Sequence, residues 1–213
     1  MIKVENIETW GFEHAIRGMR NPLNSWSRSD SSFGYEAYSG EFVPDLKIGE
    51  NDLKLMRQLY VGGQPHRKYL RQIFAVMDIT APLYWWKEFD TYKVGTTANS
   101  CSTMHKIAAN EFSIEDFSDE HLETGWLACL DDTIIPLLNR ARTKFIATKD
   151  KRYWWQMIQL LPSSYNQRRT VSMTYENVMN MLDYREGHKL DEWREFCKIL
   201  KQLPYVEEIR DGR

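Results

Sequence analysis

The chain has 213 residues, 42% of them hydrophobic, with 28 Lys and Arg against 30 Asp and Glu for a formal net charge of −2. That length and apolar share point to one domain over 1–213 with a single sizeable core, residues 1–49 forming a polar N-terminal segment. The charge balance excludes the overall basic excess of a typical nucleic-acid binder, and the lack of any run of about 20 apolar residues excludes a membrane span.

Within the opening segment, Phe12, Ala15, Ile16 and Met19 recur at helical spacing. A polar stretch follows, holding Arg17, Arg20, Asn21, Asn24, Ser25, Ser27, Arg28 and Ser29. Forked Arg donors with hydroxyl and amide partners suit a phosphate, and the same residues equally suit a surface loop with capping side chains. Asn51 then caps a helix carrying Leu53, Met56, Leu59 and Tyr60, stopped at Gly62-Gly63. After Gln64-Pro65-His66-Arg67, the residues Leu70, Phe74, Val76 and Ile79 indicate a strand.

The stretch Ile79–His105 organises the rest. Ala81-Pro82 opens a helix in which Leu83, Trp86 and Phe89/Asp90 share one face and Lys87 and Thr91 another. Beyond Gly95 comes a loop of small polar residues, Thr96, Thr97, Asn99, Ser100, Ser102 and Thr103, able to take a phosphate or to serve as an ordinary polar loop. From Ser118 to about Lys149 the pattern reads as one long helix kinked by Pro136 near Asp132, with Asp131-Asp132 capping or solvated rather than metal-binding. Arg-Tyr-Trp-Trp at 152–155 begins another helix that stops at Pro162. A strand with Val171 and Met173 on one face leads into the helix Tyr175–Arg185, with Val178, Met181 and Leu182 inward. Cys101, Cys129 and Cys197 are isolated, which argues against a disulfide framework or structural zinc, and no metal site is expected. An N-terminus without an apolar h-region points to a cytoplasmic protein.

The Ala-Pro-led helix, its basic end and the Asn/Ser loop resemble the central motif of the flavin-dependent thymidylate synthases. Leu161-Pro162, Asn180, Arg185 and Trp193-Arg194-Glu195 follow in the family's order over roughly residues 50–204. The resemblance implies an α+β fold, a twisted, mainly antiparallel sheet flanked by long helices, assembled as a homotetramer. It implies reductive methylation of dUMP, a pyrimidine nucleotide, with reduced FAD, methylene-tetrahydrofolate and NADPH. Carried over by position, Arg185 polarises the pyrimidine and is the catalytic candidate. His66, Tyr92, Lys93 and Asn180 hold FAD, while Lys87, Asn99 and Ser102 join Arg185 on the substrate.

Three departures stand out. The family's Arg-His-Arg falls on Thr91, Tyr92 and Lys93, and its phosphate-binding Arg falls on Ile158 or Met157. Charge-assisted contacts are worth about 1.5–3 kcal/mol each. Either Arg17, Arg20 and Arg28 replace the lost charge, or another pyrimidine nucleotide is modified, or the fold persists as a non-catalytic binding or assembly protein. A plain α+β interaction protein with an aromatic face is the reading from outside the family.

Overall fold

The computed structural model describes residues 2–38 and 41–211. In chain order it contains β1 (Lys3–Trp10), α1 (Phe12–Arg20), β2 (Ser32–Tyr38), β3 (Glu41–Lys47), α2 (Glu50–Val61), β4 (Phe74–Pro82) and α3 (Leu83–Phe89). There follow β5 (Thr96–Ser100), α4 (Thr103–Lys106), α5 (Thr124–Cys129), α6 (Ile135–Thr148), α7 (Lys151–Leu160) and β6 (Asn166–Thr174). Then come α8 (Tyr175–Arg185), α9 (Asp191–Lys201) and α10 (Val206–Arg210). The principal sheet is antiparallel throughout, in the order β1-β4-β6-β5, and β2 pairs with β3 as a separate hairpin. The expected α+β architecture is therefore present. Within the N-terminal segment, where the sequence indicates a short helix and a polar stretch, β1 is a sheet strand, and the β2–β3 hairpin has no counterpart in the sequence reading.

Strand β4 shows why the sheet has one covered face. Ala75, Met77, Ile79 and Ala81 are fully buried, while Phe74, Val76, Asp78 and Thr80 alternate to the more open side. The strand indicated by Phe74, Val76 and Ile79 is present, with Ile79 on the covered face and Phe74 and Val76 on the other. Leu70 is buried too, but from a 3₁₀ segment, Gln64–Gln72, that precedes the strand. Val171 and Met173 of β6 face the core as expected. Across the open side, Asp78 accepts from Thr170 Oγ1 at 2.5 Å, Asn6 Nδ2 at 2.8 Å and Arg168 at 2.8 Å, and these bonds hold its carboxyl well below the usual range.

The covered face packs on α3, α8 and α9 through aromatic rings. Trp85 lies 4.8 Å from Trp193, 4.9 Å from Trp86 and 5.4 Å from Phe196, centroid to centroid. Buried aromatics of this size each remove some 150–250 Å² from water, a gross stabilisation of about 4–6 kcal/mol apiece. Burial also silences Cys197, whose thiol is pushed up to about 11.

A second cluster, including Phe112, Phe117, Leu130, Leu138 and Met157, holds α5, α6 and α7 together. Here the single long helix expected from Ser118 is corrected. Helix begins only at Thr124, and a π-turn over Leu130–Ile134 separates α5 from α6. The break lies just ahead of Pro136, whose ring would collide with the Asp132 carbonyl in a continuous helix. Asn51 is likewise inside α2 rather than its cap. Asp30 instead caps from a distance, its carboxylate accepting from the Asn51 and Asp52 amides at 2.9 and 3.1 Å. Among the described residues no helix is long and apolar enough to cross a membrane.

Gly11 joins β1 to α1 at φ +95, and a Cβ there would meet the Gln72 carbonyl oxygen at 2.1 Å. Gly11→Ala combines a left-handed backbone with a backbone collision. Chemical denaturation should show a loss of about 2 kcal/mol or more.

Candidate functional site

The N-terminal Arg/Ser stretch is shaped by one buried ion pair. Arg20 Nε donates to Asp52 Oδ1 at 2.6 Å, with side-chain exposures of 4% and 0%. The same guanidinium donates to the Ser25 carbonyl and hydroxyl and to the Arg28 carbonyl, at 3.2, 3.3 and 3.2 Å. Asp52 Oδ2 accepts from the hydroxyls of Ser29 and Ser31 and the amides of Asp30 and Ser31. Burial raises the Asp52 pKa, but these hydrogen bonds and Arg20 outweigh it and the net shift is downward. Arg20 and Ser25 are thus internal, whereas Arg17, Ser27 and Arg28 remain exposed.

That loop and α2 border a cavity of about 710 Å³, where Ser27, Arg28, Asn51 and Lys54 present amide, hydroxyl and cationic groups. Leu23 also lines a neighbouring cavity of about 600 Å³, with His66, Leu59, Tyr69 and Asn21 in its wall. His66 is exposed there, just after the Gly63 turn. The pair of cavities offers cations and amides on one side of Leu23 and an imidazole with apolar surface on the other.

A second locus lies where α3 meets α8. Arg185, the last residue of α8, donates from Nε to the Tyr92 hydroxyl at 3.1 Å and from NH1 to Glu88 Oε2 at 2.8 Å. Its guanidinium lies 5.0 Å from the centroid of the Trp193 ring. Glu88 Oε2 also faces His188 Nε2 at 3.2 Å, while His188 Nδ1 accepts from the Leu190 amide, so the imidazole proton sits on Nε2 toward Glu88. Tyr92 and Lys93 line a cavity of about 240 Å³ with Phe89, Asp90, Thr96 and Ala98. Lys87 is exposed on the last turn of α3. Asn180 is half-buried on α8 and makes no side-chain hydrogen bond among the described residues.

Asn99 and Ser102 are placed differently from expectation. The polar loop after Gly95 is the edge strand β5, with Asn99 exposed and paired in register to Thr170. Alternation of β-branched and small polar residues suffices for an edge strand, because β6 supplies its hydrogen-bond ladder. Ser102 is the N-cap of α4, its Oγ accepting from the His105 amide at 3.0 Å. Ile158 and Met157 pack into the second cluster, so an apolar contact stands where the resembled family has its Arg.

Sequence reasoning passed over Glu88 and His188, since ion pairs spanning about a hundred residues leave no local signature. No group of His, Cys, Asp and Glu able to hold a metal occurs among the described residues.

No protein-family model and no curated protein sequence matches the chain. Two solved structures of the flavin-dependent thymidylate synthase from Helicobacter pylori, both with FAD and dUMP, do match its fold. One superimposes with a TM-score of 0.66 over 99% of each chain, the other with 0.67 over 100% of this chain and 99% of that one, both at 16% identity. The chain therefore has the fold of the flavin-dependent thymidylate synthases.

Proposed function

We propose that this protein binds FAD and a pyrimidine nucleotide and catalyses the reductive methylation of dUMP, with methylene-tetrahydrofolate as carbon donor and NADPH as reductant. One observation carries the reading. Tyr92 and Arg185, 93 positions apart and assigned by resemblance to one site, are hydrogen-bonded to each other in a fold shared end to end with a synthase that binds FAD and dUMP.

The residues present fit the cofactor. The two cavities that meet at Leu23 combine His66 and apolar wall with Arg28 and Lys54, as a ring joined to phosphates requires. His66, Tyr92, Lys93 and Asn180 are the holding residues, and the unpartnered Asn180 amide is free to reach a ligand. When bound, FAD supplies the hydride. Arg185 polarises a pyrimidine carbonyl, its charge stabilising the anionic ring. Lys87, Asn99 and the capped turn at Ser102 carry the nucleotide phosphate, and Arg28 offsets part of the charge lost at Thr91, Tyr92 and Ile158. The protein is cytoplasmic and assembles as a homotetramer. The open sheet side, where Trp10 stacks on Phe74 at 6.1 Å, supports an assembly surface.

A second reading is favoured by the Glu88–Arg185 pair: a protein carboxylate occupies the cation, and the fold serves in binding or assembly without turnover. Absorbance of the purified protein near about 375 and 450 nm, as for any oxidised flavin, separates the two. A flavin spectrum that shifts on adding dUMP, followed by dTMP formation with both co-substrates, is the expected result. Absence of flavin after incubation with excess FAD overturns the enzyme reading.

A further inference from the structure

The cations of this chain are unevenly placed. Lys144, Lys149, Lys151 and Arg152 gather toward the end of the α6–α7 hairpin, and the one carboxylate among them, Asp150, is bonded to Arg152 at 2.6 Å. Beside this end, between α4 and the hairpin, lies a cavity of about 410 Å³ walled by Trp154, Phe145, Ile107 and Met104, with Lys151 and His105 as its polar groups. Trp154 is held in place, its indole N–H donating to the Met104 carbonyl at 3.0 Å. Lys151 Nζ lies 5.8 Å from the Trp154 ring and 5.7 Å from the Trp155 ring, and no carboxylate pairs with it among the described residues.

We propose that this cavity is a nucleotide site, taking a flat base against Trp154 and Phe145 and its phosphate on Lys151. The volume falls in the range of small-ligand sites, roughly 300–1,000 Å³. An immobilised aromatic wall offers stacking to any base, and an unpaired ammonium at its rim supplies the anion partner. The cavity wall holds no carboxylate that would repel a phosphate. Lys149, over the Phe145 ring at 6.0 Å, and Lys144, over Tyr153 at 5.3 Å, extend positive charge along the hairpin. The site belongs to the second hydrophobic cluster and shares no lining residue with the cavities of His66 or of Tyr92 and Lys93, and it adjoins the Ser102 turn through His105. Its ligand is a free nucleotide or one unit of a single strand. The net charge of −2 conceals this feature, because acidic residues elsewhere cancel it.

Calorimetric titration of the full chain with dAMP, deoxyadenosine, inorganic phosphate and the octanucleotide (dA)8 tests the proposal. A purine is chosen so that a pyrimidine-reading site contributes nothing, and the protein is first loaded with FAD so that the adenine end of the flavin site is already filled. The expected result is dAMP binding at least tenfold tighter than deoxyadenosine or phosphate, weakened about tenfold by Lys151→Ala and unchanged by Arg185→Ala. Lys151 is exposed and on the first turn of α7, so its loss leaves the fold intact, which circular dichroism verifies. Tighter binding of (dA)8, with a salt slope that Lys151→Ala reduces by about one, identifies a strand as the source. Equal affinity for dAMP and (dA)8 identifies the free nucleotide. No dAMP binding, phosphate binding as tightly as dAMP, or indifference to Lys151→Ala overturns the proposal.

Discussion

Asp52→Ala is expected to lower the unfolding free energy by about 3–5 kcal/mol, because it strands the buried Arg20 guanidinium. For a chain of this length that corresponds to a fall in Tm of roughly 6–20 °C. The carboxylate does more than pair with Arg20. Its second oxygen collects two hydroxyls and two backbone amides from Ser29–Ser31, folding that loop back onto α2. Arg20→Met should therefore cost less than Asp52→Ala, since Asp52 keeps those four donors. Urea denaturation of the two variants gives the order, and equal losses would show that the ion pair alone matters. The same group makes stability pH-dependent. Its folded pKa is depressed, so its stabilisation is present above the unfolded value of about 3.9 and is lost as pH falls through the folded value. Asp52→Ala should remove part of the acid sensitivity of wild type below about pH 4.

Under the proposed methylation, Arg185→Ala is expected to abolish the dUMP-induced change in the flavin spectrum and to reduce turnover by about 10²–10³-fold, the usual effect of removing one charge-stabilising donor. Arg185→Lys should recover little. An ammonium cannot bond Tyr92 and Glu88 as a planar fork while lying over Trp193. Glu88→Gln removes the carboxylate that competes for Arg185, so dUMP should bind it more tightly than wild type. Under the assembly reading the outcome differs. Arg185→Ala then alters only stability, Glu88→Gln weakens the α3–α8 contact, and neither changes ligand affinity. Titration of flavin absorbance with dUMP across the three variants separates the cases.

Much of the frame was legible because it rests on local periodicity. Phe12, Ala15, Ile16 and Met19 announced α1, and all four are buried on one face. The helix Tyr175–Arg185 and the inward face of Val171 and Met173 were likewise readable, since apolar spacing reports which side of an element leaves water. Pro136 marked a helix defect correctly, because a missing N–H and a ring clash are properties of one residue. The Ala-Pro helix, Asn180, Arg185 and the Trp193 segment also carried, by their order, the resemblance to a fold that superposition then matched over the whole chain.

What required tertiary structure was every feature made by residues distant in sequence. β5 looked like a loop because its strand character comes from pairing with β6 rather than from buried side chains. Asn51 looked like a cap because nothing local discloses that Asp30 reaches back to the α2 amides. Whether an arginine is a ligand group or an internal strut depends on which carboxylate it meets. Arg20 meets Asp52 in the interior, Arg185 meets Glu88 at a half-open junction, and Lys151 meets none. Sequence determined which segments are helix or inner strand and which residue types are available for chemistry. Only the folded chain decided which charges are paired, because burial and long-range contact set the energy of a charge and neither is a property of its neighbours along the chain.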